Sequence, residues 1–323
     1  MLKLFNLSTH EIDLQKFDFD NQKLQRFFEK LRFDGIEMIQ SQDWNEGLMP
    51  AQFVKGMHMR FWPVWLDFWN GNREELIKQF GSMETVSHYY GGKSKKAMVD
   101  WYRKEIETAV KLKAEYVVFH ISHVLPEHCF SYKFTYTDRE VVEAGIELMN
   151  EVLDGVPGEF QLLFENLWWP GLTLLDRSLA GELIERVHYP HKGFMLDISH
   201  IMNTNLQLSS EDEAVEYILH RLDILGELSG FIKGIHLNSS LSGEYVRSQL
   251  ENRSIFGEKD FYKRYCDSYS HVLKIDRHVP FTHKSFRKVL DFVKPQYLVY
   301  EFLTEKFDKL EEYADIQNKV LGL

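Results

Sequence analysis

Histidine, aspartate and glutamate recur in this sequence at the ends of short apolar runs, where parallel strands would deliver them to one place. His58 lies in GMHMRF, His120 ends VVFH and Glu165 ends LLFE. Asp197 ends MLD with His200 three residues on, His236 ends GIH, and Glu301 ends LVYE. Asp276 and His278 stand in an Asp-Arg-His triplet between the last two runs. Taken singly, a strand histidine is most often a hydrogen-bonded core residue, and a glutamate an ordinary ion-pair partner. Carboxylates are seldom buried unless paired, however, and successive apolar runs that each end in such a group are hard to obtain by chance. Imidazole nitrogen with carboxylate oxygen suits zinc or manganese, with iron or cobalt as further options. The cysteines, Cys129 and Cys266, stand apart from these runs and form no C-x-x-C pair, so the set does not read as a structural zinc site.

These side chains need elements to position them. Short β-type runs occur at Leu2–Leu7, Gly35–Ile39, Gly56–Phe61, Tyr116–Ile121, Gln161–Glu165, Gly193–Asp197, Ile232–Leu237 and Tyr297–Phe302. Helical patterns alternate with them at Gln22–Leu31, Lys96–Lys113, Arg139–Leu153, Leu179–Val187, Glu211–Leu228, His283–Val293 and Glu305–Val320. Alternation of this kind implies a parallel sheet, and eight strands are the number that closes a barrel. The fold class expected is therefore α/β, a parallel eight-stranded (β/α)8 TIM barrel formed by residues 1–323 as one domain. The stretch Gln40–Lys55 is poorly helical, so one outer helix should be short or missing. Two connections are longer than the architecture needs. Residues 62–95 are rich in Trp, Phe, Tyr and Gly, and residues 239–274 mix Tyr245, Phe256, Phe261, Tyr262, Tyr265 and Tyr269 with Arg and Lys. Both follow a strand and should lie over the C-terminal face, where such barrels place their chemistry.

At the level of strand ends, the whole chain resembles the xylose-isomerase-like barrels, a superfamily of sugar isomerases, sugar epimerases and endonuclease IV. Glu165, Asp197, His236 and Glu301 are similar to the core site shared across much of that superfamily. His-Leu-Asn at 236–238 and Asp-Arg-His at 276–278, with His58, His120 and the Asp-x-x-His of Asp197 and His200, resemble endonuclease IV in particular. The resemblance implies three metal groups: His58, His120 and a bridging Glu165; Glu165, Asp197, His236 and Glu301; and His200, Asp276 and His278. It also differs from that family's pattern. Glu165-Asn166 runs into Leu-Trp-Trp-Pro-Gly rather than a small Gly-rich stretch, Ser239 replaces an aspartate after His-Leu-Asn, and Asp-Arg-His continues as Val-Pro-Phe-Thr. These changes lie where the nuclease grips bent DNA, which points toward a small molecule instead.

Composition agrees with that direction. A net charge of −11 argues against a general polyanion binder, since phosphate backbones draw on Lys and Arg, although bound cations would offset part of it locally. The opening MLKLFNLSTHEIDLQKF reads as no signal peptide, and no run approaches a membrane span, so a cytoplasmic protein without membrane contact is expected. The functional expectation is a divalent-metal enzyme acting on a sugar-type or phosphorylated small molecule, holding two or three ions. Zinc is favoured by the histidine share, with manganese as the alternative. Phosphoester hydrolysis is placed slightly ahead, with Glu165 bridging two ions and orienting the attacking water. The alternative is sugar or sugar-phosphate isomerisation or epimerisation on one ion, with Glu165 and Glu301 as the catalytic carboxylates exchanging a proton with carbon. Abasic-site cleavage of DNA and a non-catalytic binding barrel are the remaining readings. Trp168 and Trp169 at the rim, Arg277 with its fork of donors and Asn238 are the expected substrate-binding residues. His123 is read as a partner behind the ligands, whereas Glu37 and His10 are read as structural.

Overall fold

The computed structural model describes residues 1–252 and 260–323; Phe256 lies outside them. The chain folds into a closed barrel in which every strand pairs in parallel with its sequence neighbours. The strands are β1 (Leu2–Ser8), β2 (Gly35–Ile39), β3 (Val54–His58), β4 (Tyr116–His120), β5 (Gln161–Glu165), β6 (Lys192–Asp197), β7 (Ile232–Leu237) and β8 (Tyr297–Tyr300). β1 closes the ring on β8 through Leu2 opposite Tyr297 and Leu4 opposite Val299. Parallel strands covered on both faces carry near-continuous apolar sequence, which YVVFH of β4 and GFMLD of β6 illustrate.

Side chains alternate between the two faces of each strand. Val117, Phe119, Leu162, Phe164, Phe194 and Leu196 face the helical layer and join the large outer core. The other parity points inward, where Leu4, Tyr116, Val118, Leu163, Met195, Tyr297 and Val299 form a separate interior core. Gly56 lies beside Tyr116 and Gly234 beside Met195, so that an added Cβ would overlap the larger neighbour. Small and large residues thus share one layer of the barrel interior. Helix Asn21–Leu31 shows how the outer layer attaches: Leu24, Phe27, Phe28 and Leu31 are its buried residues, and Phe27 and Phe28 meet the ring of Phe5 on β1. Each such side chain contributes roughly 1.5–3 kcal/mol of burial.

The connection between β2 and β3 contains only the short 3-10 turn Ala51–Phe53, as its weak helical pattern suggests. β3 starts and ends earlier than expected, at His58 rather than Phe61, and β8 ends at Tyr300, one residue before Glu301. The expected helix His283–Val293 is a 3-10 turn at Lys284–Phe286 followed by a helix at Arg287–Val293. The first long connection holds helices Leu66–Trp69, Arg73–Phe80 and Met83–Tyr90, and the second holds Gly243–Asn252 and Phe261–Ile275. No helix among the described residues is long and apolar enough to cross a membrane.

Candidate metal centre

Strand parity decides which residues meet. The inward register that contains Tyr116 and Val118 continues to His120; Leu163 leads to Glu165, Met195 to Asp197, and Val299 to Glu301. Gly56 leads likewise to His58, Gly234 to His236 and Gly35 to Glu37. Strand pairing sets His120 opposite Glu165 and Asp197 opposite His236. All of these therefore emerge at the C-terminal end of the barrel interior.

Glu165 is the hub. Its Oε2 lies 3.0 Å from His58 Nε2 and 2.7 Å from His120 Nε2, while Oε1 lies 3.3 Å from both His200 Nδ1 and His236 Nδ1. His236 Nδ1 is also 3.3 Å from Glu301 Oε2 and 3.9 Å from Asp197 Oδ2. Asp276 organises a neighbouring group: its Oδ2 lies 3.1 Å from His200 Nε2 and 2.6 Å from His278 Nε2. The Asp-Arg-His segment reaches the site because Ser239 and Val279 form an antiparallel bridge beyond β7. His278 adopts a left-handed φ of 47°, uncommon for a non-glycine residue, and its Nδ1 lies 3.1 Å from the Glu301 carbonyl oxygen.

The nine side chains singled out in the sequence fall into the groups His58/His120/Glu165, Glu165/Asp197/His236/Glu301 and His200/Asp276/His278; in each, one potential ligand atom per residue lies within 4.8 Å of the others. One nitrogen of each of three rings has a hydrogen-bond partner, although in His200 it is the same Nδ1 that approaches Glu165. His58 Nδ1 donates to the Met59 carbonyl at 2.9 Å, His200 Nδ1 to Asn166 O at 2.8 Å, and His236 Nε2 to Glu37 at 3.0 Å. With those protons engaged, a neutral ring turns its lone pair toward the carboxylates, as metal-binding imidazoles do. Among the described residues neither nitrogen of His120, nor His236 Nδ1, has a partner in good hydrogen-bond geometry, although His120 Nε2 and His236 Nδ1 lie 2.7 and 3.3 Å from the Glu165 carboxylate. Buried nitrogens that face carboxylates yet lack hydrogen bonds are an expensive arrangement without a cation. The donor set and these orphaned atoms fit divalent metal.

Electrostatics follow the same geometry. Burial would raise the Glu165 carboxyl, but His120 and His236 hold it well below the usual range. Asp276 is likewise held low against burial by His278 and His200. Burial works against charge on His58, yet the hydrogen bond and charge of Glu165 raise it to about 9. His278 rises to about 9 against burial through Asp276. Burial lowers His120, outweighing Glu165. Glu301 is pushed up to about 7 by burial, against the pull of His236 and His278.

The remaining sequence candidates occupy distinct places. Trp168 and Trp169 are both buried, their rings 4.4 Å apart, and Trp168 packs 5.0 Å from the His200 ring. Arg277 is exposed between Asp276 and His278, with its backbone N–H on Ser240 Oγ at 2.7 Å. The Asn238 amide donates to Asp197 Oδ2 at 3.0 Å and Glu301 Oε2 at 3.4 Å, so it braces carboxylates from within. His123 instead accepts from the backbone N–H groups of Trp65 and Leu66, at 3.2 and 3.3 Å, and anchors the first long connection. Sequence reasoning undervalued Glu37, which is fully buried and accepts from both Tyr116 Oη at 2.9 Å and His236. Its signal was available: a lone acid in the apolar run GIEMI, at the inward parity. Asn6, whose amide donates to Glu301 Oε1 at 3.0 Å, carried no such signal.

The chain belongs to the xylose isomerase-like TIM barrel family, whose model matches residues 28–317. No curated protein matches the sequence significantly. Among solved structures, it is similar to D-psicose 3-epimerase from Clostridium cellulolyticum, at 12% identity and a TM-score of 0.52, covering 99% of both chains. It is also similar to a Rhodospirillum rubrum protein provisionally described as a xylose isomerase, at 10% identity and a TM-score of 0.56, covering 99% of both chains. Mannonate dehydratase from Streptococcus suis is 9% identical with a TM-score of 0.51, covering 100% of this chain and 94% of that one. At these identities the likeness speaks to the fold.

Proposed function

We propose that this protein is a divalent-metal enzyme with a multinuclear centre that hydrolyses a phosphoester of a small molecule. The observation that carries the reading is the convergence of nine potential ligands into three of the four groups among the described residues able to hold a metal, the fourth joining Glu37 to His58 and His236, where a mononuclear site needs about four ligands. Glu165 reaches all of His58, His120, His200 and His236, and its two oxygens suit a bridge between neighbouring cations. His58 and His120 would complete one ion's set, Asp197, His236 and Glu301 a second, and His200, Asp276 and His278 a third. Bound ions would supply Lewis-acid charge and lower the pKa of coordinated water. The protein's own part is to fix the ligands, with Asn238, Asn6 and Glu37 holding Glu301, Asp197 and His236 in place, and to present Arg277 at the rim for an anionic group. The histidine share favours zinc, with manganese as the alternative.

A second reading, isomerisation or epimerisation of a sugar on one ion, is supported by the family and by structural neighbours that act on sugars. It is also supported by Glu165 and Glu301, which stand at equal distance from His236 Nδ1 and could exchange a proton with a substrate carbon. Metal analysis of protein purified without added metal, with phosphatase and sugar-isomerase screens, separates the two. Two or three ions per chain with phosphoester turnover is the expected result. One ion held by Glu165, Asp197, His236 and Glu301, with ketose interconversion, would transfer the assignment to the second reading.

A further inference from the structure

Beside the metal centre lies an apolar cavity of about 240 Å³, walled by the start of the first long connection, the loops after β4 and β5 and the last helix of the second long connection. Phe61, Val124, Trp169, Tyr265, Tyr269 and Val272 are among its lining residues, and among the described residues no lysine or arginine lines it. One of these residues touches a candidate ligand, and a second reaches another through its neighbour. The Phe61 ring packs edge-on against His120 with centroids 4.8 Å apart, and Trp169 packs on Trp168, which meets His200. A cavity of about 150 Å³ with an apolar lining is large enough for benzene, so this one accommodates an aromatic ring with a substituent. Without cationic side chains it does not suit the phosphoryl group itself. The indole N–H of Trp169 is buried with no acceptor among the described residues, and an oxygen on the occupant would give it one.

We propose that this cavity is the subsite for an aromatic group of the substrate, one end of which reaches the metal centre. The subsite rests on the ligand cluster being the active site, and not on which reaction occurs there. It gives Tyr265 and Tyr269 of the second long connection a role beside the barrel mouth. A sugar or phosphate group alone would leave this apolar surface unfilled, and pockets that bind small molecules characteristically combine such a surface with a few convergent polar groups.

The test uses the metal-loaded full chain and two non-hydrolysable probes, phenylphosphonate and methylphosphonate, titrated calorimetrically, with phenol as a neutral third probe followed by tryptophan fluorescence. Phenylphosphonate should bind at least about tenfold more tightly than methylphosphonate, roughly 1.4 kcal/mol, and Val272→Trp should reduce that ratio by filling the cavity. If Val272→Trp does not fold, Tyr269→Ala, at an exposed position, should weaken phenyl binding by opening the wall. Should neither phosphonate bind while phenol still quenches fluorescence in a manner lost in the variant, the phosphoester assignment fails and the aromatic subsite stands. Equal affinity for the two phosphonates without a phenol response, or a phenyl preference untouched by either folded variant, would overturn the subsite.

Discussion

The two ends of the barrel interior are built on opposite principles. Toward the N-terminal end, Leu4, Tyr116, Leu163, Met195, Tyr297 and Val299 fill the space with apolar surface, and the Tyr116 and Tyr297 rings lie 4.3 Å apart. A few residues further along the same strands, the same inward parity delivers His58, His120, Glu165, Asp197, His236 and Glu301, also buried or nearly so. The first end is filled by apolar packing, with the Tyr116 hydroxyl hydrogen-bonded at its upper edge. The second retains, among the described residues, ring nitrogens without a partner in good hydrogen-bond geometry, held against carboxylates. Tyr116 joins the two, its ring in the lower core and its hydroxyl on Glu37, which in turn holds His236. The contrast teaches that stability and function can be divided along a single strand, and that the division can be tested one residue at a time.

The sharpest break is Glu165→Gln, which keeps the shape but removes the negative charge among the imidazoles. Turnover should fall by more than the ~10–100-fold typical of residues behind the ligands, together with bound metal. Activity lost with the full metal complement would argue against a bridging role and for a proton-transferring carboxylate. At the other end, Leu4→Ala should cost about 2–5 kcal/mol of stability through the cavity it leaves, measured by denaturant unfolding. The metal content per folded molecule should not change, because Leu4 packs in the apolar interior core and makes no hydrogen bond or ion pair to a candidate ligand. A Leu4 variant that lost metal at unchanged stability would erase the distinction between the ends.

Glu37 sits at the junction and sharpens the comparison. Glu37→Gln keeps an oxygen to accept the His236 Nε2 proton, whereas Glu37→Leu does not. Metal affinity should fall by about 10–100-fold in the leucine variant and less in the glutamine variant, read by competition with a chelating dye. Equal losses in both would assign Glu37 to packing rather than to orientation of the ring.

A last comparison concerns a buried carboxylate outside the cluster. Glu105 accepts from the Arg60 backbone N–H at 3.1 Å and from Trp101 Nε1 at 3.2 Å. Burial pushes it up to about 7, against those hydrogen bonds. A carboxyl whose folded pKa lies above its unfolded value holds extra protons in the native state, so stability should decline as pH rises from about 4.5 to 7. The decline should approach roughly 3 kcal/mol at most, and Glu105→Gln should remove it, as followed by urea unfolding across that range. Glu165, buried to the same degree but surrounded by imidazoles, is held low instead, so neighbours and not burial alone set the state of each carboxylate.

Much of this was legible in the sequence. Apolar runs bounded by helical patterns announce eight parallel strands, and an acid or histidine at the end of such a run must emerge at the barrel mouth. Period-two alternation even marks Glu37, whose isolated charge in GIEMI could have been given more weight. Less legible were the contacts of Asn238, whose amide donates to Asp197 and Glu301, and of His123, which anchors a loop. Both assignments depend on where a side chain finds its partner across the barrel, and chain spacing carries no such information.

Local pattern therefore determined the eight parallel strands, the closed barrel and the placing of Glu165, Asp197, His236 and Glu301 at strand ends, because short apolar runs alternating with helical patterns require a buried parallel sheet. Only the tertiary structure decided that Asp276 and His278 join His200, since their approach depends on the Ser239–Val279 bridge and a left-handed backbone at His278. It also decided which nitrogen of each imidazole faces the carboxylates and that Phe61, Trp169 and the helix Phe261–Ile275 enclose one cavity. These are contacts between segments far apart in the chain, and they exist only once the barrel has closed.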